Sequence, residues 1–175
     1  MVRLSFLLLV FLVCVTSTYA VKVVDIDTIC KNVKNHSFCS NLLNSKPGAK
    51  EDLVSLTQYT IDVLHDNITN TVNLINKLIV QSAGNFNLTY HYQSCLSVFG
   101  IKNGGALQLI EEVKKLFKTR NYTAVITYLN DISFDALACL VTNSPSDTSV
   151  LSKYVDDVKQ VTDIVRIILS YLMQA

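Results

Sequence analysis

Apolar residues recur at helical spacing through most of the chain. From Glu51 to Val80 no proline or glycine intervenes, and Leu53, Leu56, Thr60, Leu64, Ile68, Val72, Ile75 and Ile79 follow one another at steps of three and four. That spacing draws one stripe along a long amphipathic helix. Pro47-Gly48 marks its start and Gly84-Asn85 its exit. A second segment puts Leu88, Tyr92, Cys95, Leu96 and Phe99 on one face. Gly100 and Gly104-Gly105 interrupt it, and the pattern resumes through Ala106, Leu109, Ile110, Val113, Leu116 and Phe117. Paired glycines are poor in a helix interior, so a kink or short loop is expected there. The third segment, Asn121 to Thr142, turns Tyr122, Val125, Ile126, Leu129, Ser133, Ala136 and Leu140 inward, and Pro145 follows it. The last, about Asp147 to Met173, aligns Leu151, Tyr154, Val155, Val158, Val161, Val165, Ile168 and Leu172. Asp163 and Arg166 within its apolar end argue for a bundle helix rather than a membrane span.

Four such segments on short connections predict an all-α protein, an antiparallel four-helix bundle over residues 47–175. Ahead of it, residues 21–46 carry Cys30 and Cys39 nine positions apart. On one continuous helix these would lie about 13 Å apart, beyond the roughly 4.4–6.8 Å that a disulfide tolerates between Cα atoms. Pairing would therefore need the chain to turn back, and the polar run Lys34-Asn35-His36-Ser37 suits that turn. A helical hairpin closed by a local bridge is expected.

The first twenty residues are set apart by Arg3, the apolar run Leu4–Val13 and the small residues leading to Ala20. This is the pattern of a cleaved secretory signal, and the run is short for a bilayer span of about 20 residues. Removing it leaves 15 − 1 = 14 basic residues against 14 acidic ones. A formally neutral chain lacks the basic excess that nucleic acid or an anionic membrane selects, so neither is an expected partner. Cys14 leaves with the signal. Cys30, Cys39, Cys95 and Cys139 remain, an even set that fits two disulfides in any of three connectivities. None of them pairs at the two-to-four-residue spacing of zinc sites, and no metal or cofactor is expected. Sequons at Asn35, Asn67, Asn87 and Asn121 add to the secretory reading, with each modified Asn required at the surface.

Catalytic patterns are missing. There is no His-Glu-x-x-His, no Gly-x-Ser-x-Gly and no glycine-rich phosphate loop. His36 falls in the expected turn, and His65, with Asp62 and Asp66, on a solvated helix face. His91 is expected at a helix edge with Tyr90, beside an inward Tyr92. The carboxylate pairs Asp131/Asp135 and Asp156/Asp157 read as solvated, since acid-base pairs of the glycosidase kind converge on a cleft. The chain is expected to bind rather than catalyse.

The run Ile29-Cys30-Lys31-x-x-x-Asn35-x-Ser37-Phe38-Cys39-x-x-Leu42-Leu43 resembles the N-terminal signature of the plant invertase/pectin methylesterase inhibitors. Asp52-Leu53 opening the long helix, Tyr92-x-x-Cys95 with Phe99, and Asn121-Tyr122 leading to Tyr128, Ala136 and Cys139 extend the resemblance over the mature chain. It implies pairing of Cys30 with Cys39 and of Cys95 with Cys139. It also implies a secreted, apoplastic or vacuolar inhibitor that covers the cleft of one pectin methylesterase or acid invertase molecule. The implied docking residues are Gln93, Ser97, Asp131, Asp135 and Ala138. Several pectin methylesterase inhibitors carry acidic residues where this chain has Gln93, Ser97, Leu140 and Val141. The Pro-Lys-Phe of invertase inhibitors is replaced by Thr119-Arg120-Asn121-Tyr122, nearer the pectin methylesterase type. The stretch around Gly100–Gly105 is about one helical turn longer than usual in the family. A secreted interaction module that has lost inhibition is the remaining alternative.

Overall fold

A computed structural model describes residues 25–48, 52–141 and 147–174. The signal segment, Pro145 and Thr142 lie outside the described residues. Seven α-helices and no strands are found among the described residues: α1 (Ile26–Cys30), α2 (His36–Asn44), α3 (Leu53–Gln81), α4 (Phe86–Phe99), α5 (Ala106–Lys118), α6 (Tyr122–Val141) and α7 (Leu151–Met173). Helices α3, α4 with α5, α6 and α7 form the four columns of an antiparallel bundle, and α1 with α2 forms the hairpin ahead of it.

The caps explain where the helices begin. Asp52 accepts the Ser55 amide at 2.9 Å, Asn85 the Leu88 amide at 3.2 Å and Asn121 the Ala124 amide at 3.3 Å. Each satisfies a donor that the first helical turn leaves without an internal partner. The α5–α6 corner is equally local. Arg120 takes φ 58°, its amide bonds Phe117 O, and the Asn121 amide reaches back to Leu116 O. Those two bonds close the end of α5 and let α6 start at once.

The second column is broken, as its glycines led us to expect. A 3-10 turn at Lys102–Gly104 joins α4 to α5. Gly105 is needed at the join because a Cβ there would lie 2.5 Å from Gly100 O and 2.7 Å from Val98 O. Ile61, Leu64, Ile68, Phe99, Ile110, Leu129, Ile132, Val158 and Val165 are fully buried in one continuous core. Burying each such side chain stabilises the fold by about 1.5–3 kcal/mol.

The hairpin turn is displaced from its expected place. His36 and Ser37 already belong to the first turn of α2, and the reversal uses Lys31–Asn35. The reason is capping: Asn35 Oδ1 accepts the Phe38 amide and the Ser37 hydroxyl, which starts α2 at His36. Ile29, Cys30, Cys39 and Leu43 pack with Leu53, Leu56, Ile164 and Ile168 in a second cluster at this end. The last helix begins later than the expected Asp147, at Leu151, the first residue of its apolar stripe, and Tyr154 of that stripe is exposed.

Candidate functional site

Both disulfides are present, Cys30–Cys39 and Cys95–Cys139, the pairing that the resemblance implied. The second one sets α4 beside α6, with Cα atoms 4.7 Å apart. The expected docking residues sit on these two helices. Gln93 and Ser97 are exposed on α4, Asp131 is exposed on α6, and Asp135 and Ala138 are half-buried.

The structure brings these residues together only as two sets. Gln93 and Ser97 line a groove of about 470 Å³ whose walls include Val72 of α3, Leu96 of α4 and Leu107 of α5, with Ile101 and Lys102 at its edge. Asp131, Asp135 and Ala138 do not line it. Along α4 the groove residues continue a stripe of Phe86 and Tyr90, 81% and 64% exposed, with ring centroids 6.4 Å apart. On α6, Phe134, Leu137 and Val141 are exposed at the same helical spacing.

Asp135 is not the solvated group expected of it. Burial, with the charge of Asp131 adding to it, pushes its carboxyl up to about 6. Its Oδ2 is buried without a hydrogen-bond partner among the described residues. A carboxyl in that setting favours its neutral form.

A buried polar cluster on α4 went unread in the sequence. His91 is only 4% exposed and stands inside the molecule, not at the helix edge. Its Nε2 lies 3.5 Å from Asp147 Oδ2, and Tyr92 donates to Asp147 Oδ1 at 2.8 Å. The Ser149 amide donates to the same carboxylate at 2.8 Å. Burial pushes Asp147 upward, but the Ser149 donors, the Tyr92 hydroxyl and His91 outweigh it, and the net shift is downward. Helical spacing did carry a signal: His91 lies four residues before the inward Cys95, and Asp147-x-Ser149 is a turn-forming pattern before an apolar stripe. His65 is likewise less solvated than expected, and bridges α3 to α5 through Glu111 at 3.0 Å.

Of the sequons, Asn35, Asn87 and Asn121 are exposed, and Asn67 is half-buried in the middle of α3. Asn35 donates through Nδ2 to Gln160 of α7 at 2.9 Å. Among the described residues no group of three or more potential metal ligands is found.

A family model described as "Plant invertase/pectin methylesterase inhibitor" matches residues 24–170. The chain belongs to that family. Its fold is similar to two solved Arabidopsis structures. One is a mutant form of a pectin methylesterase inhibitor, 22% identical, with a TM-score of 0.73 over 83% of this chain and 95% of that one. The other is a pectin methylesterase inhibitor, 21% identical, with a TM-score of 0.64 over 84% of this chain and 95% of that one. No curated protein sequence matches the chain. The family comprises inhibitors, and the helical fold of this chain is similar to that of the two Arabidopsis structures.

Proposed function

We propose that the chain is a secreted inhibitor of pectin methylesterase, binding one enzyme molecule with the α4/α6 side of the bundle laid over the substrate cleft. Membership of the inhibitor family over residues 24–170 is the observation that carries this reading. The Asn121-Tyr122 opening of α6 favours pectin methylesterase over acid invertase. Residues 1–20 are the signal that directs the chain to the cell wall, with the vacuole as the other destination, and of the four sequons the exposed Asn35, Asn87 and Asn121 are its candidate glycan acceptors. Gln93, Ser97, Asp131, Asp135 and Ala138 are the proposed contacts. The uncharged Gln93 and Ser97 favour a second reading, in which acid invertase is the target.

Purified protein titrated into plant pectin methylesterase and into acid invertase, from pH 4.5 to 7.5, separates the two. Saturable one-to-one inhibition of the esterase is expected. Inhibition of invertase alone would move the assignment to the second reading. No inhibition of either would leave the non-inhibitory interaction module as the function of this scaffold.

A further inference from the structure

The helix break builds something that a continuous bundle helix would not. Gly105 packs so closely on Val98 and Gly100 that the chain between α4 and α5 bulges outward, and Ile101 is 68% exposed. Between this bulge and α3 lies the groove of about 470 Å³. Its walls are Val72, Leu96 and Leu107, Ser97 stands in its mouth, and Lys102 is its one charged residue. No carboxylate among the described residues pairs with Lys102. An apolar wall with one unpaired cation at the edge is complementary to an apolar side chain with a carboxylate next to it.

We infer that this groove is the specificity pocket of the docking surface, seating an apolar side chain with an acidic neighbour from the rim of the target enzyme's cleft. The inference rests on the proposed inhibition and adds to it which feature of the partner is read. A partner protein fits the site better than a free small ligand. Small-ligand sites bury 70–90% of what they hold, whereas this groove is open to solvent along its length. The groove also runs on into the exposed α4 stripe of Phe86, Tyr90 and Gln93, which extends the contact beyond a ligand's reach. A large side chain in a desolvated pocket is where binding energy concentrates in protein interfaces.

The test fills the groove and reverses its charge. Ser97→Trp places an indole in the mouth from an exposed helical position, and Lys102→Glu inverts the edge. With the esterase that the wild-type protein inhibits, S97W is expected to raise the inhibition constant by about tenfold or more. K102E is expected to raise it by about threefold to tenfold, with the difference shrinking as salt is added. Melting temperatures should stay near that of the wild type, and Lys31→Glu on the hairpin should inhibit normally. Ile101→Ser removes the edge without adding bulk and gives a second measurement should S97W unfold; it too is expected to weaken inhibition. Undiminished inhibition by folded S97W or by I101S overturns the pocket alone. Absence of inhibition by the wild-type protein overturns the proposed function and the pocket with it.

Discussion

The two disulfides close very different loops. Cys30–Cys39 spans nine residues within the hairpin, whereas Cys95–Cys139 spans 44 and ties α4 to α6 through the whole of α5. In the chain-entropy account a cross-link stabilises by restricting the unfolded chain, by about 2.6 kcal/mol for the short loop and about 4 kcal/mol for the long one. Their surroundings differ as well. The hairpin bridge lies in a satellite cluster completed by the ends of α3 and α7, while the other lies within the main core. One bridge therefore holds an appendage to the bundle, and the other holds together the helices that present the proposed docking surface.

Breaking the long bridge should have the largest effect. The double variant Cys95→Ala/Cys139→Ala is expected to lose about 4 kcal/mol of unfolding free energy in urea titrations, and Cys30→Ala/Cys39→Ala about 2.6 kcal/mol. The short-bridge variant should still inhibit under conditions where it remains folded, because the bundle face is intact. Equal losses in the two variants would mean that loop length is not what separates the ends.

A smaller effect sharpens the same contrast. The Cys95 end has a non-covalent clasp, since Asp147 receives Tyr92 and the Ser149 amide and faces His91. Asp147→Ala leaves the buried His91 and Tyr92 and the half-buried Ser149 amide without their acceptor, and a loss of about 2 kcal/mol is expected. Asp147 titrates below its ordinary value. Its contribution is thus complete above the unfolded carboxylate range and disappears as pH falls through the lowered native value. Urea titrations from pH 2 to 6 should show the variant converging on the wild type at the acid end. The hairpin end, where Asn35 and Gln160 form a neutral clasp, should show no such convergence for Asn35→Ala.

The bundle was legible in the sequence because each column has its own apolar period and its own polar caps, as Asp52 and Asn121 show. The break in the second column was legible as well, since Gly100, Gly104 and Gly105 can be read locally. What the break makes was not. The groove needs Val72 from α3 beside Leu96 and Leu107, and a one-dimensional pattern does not say which neighbouring helix lies across a gap. His91 was misread for a related reason. Its periodicity places it on the inward side, but a histidine between tyrosines reads as polar until Asp147, 56 positions later, is seen to face it. Asp135 likewise reads as one of a solvated pair until the burial of its Oδ2 is seen.

Asp135 gives the smallest effect and the one with the clearest sign. Its native carboxyl titrates near 6 because burial and Asp131 disfavour the charge, whereas in the unfolded chain it returns to the ordinary value near 3.8. Between those values the native state binds the extra proton. Stability from this group is therefore complete below the unfolded value and declines as pH rises through 6. The side chain is only half-buried, so solvent screening holds the decline to about 1 kcal/mol or less. Asp135→Asn keeps the shape without the charge, and its stability should fall less between pH 4 and 7 than that of the wild type. At the Cys95 end, then, acid should act in two opposed ways, weakening the Asp147 clasp only at low pH while relieving Asp135 already at mildly acidic pH. Urea titrations of D135N and wild type in steps from pH 4 to 7 would resolve the two. An unchanged pH slope in D135N would mean that Asp135 is hydrated enough in solution to titrate like any surface carboxylate.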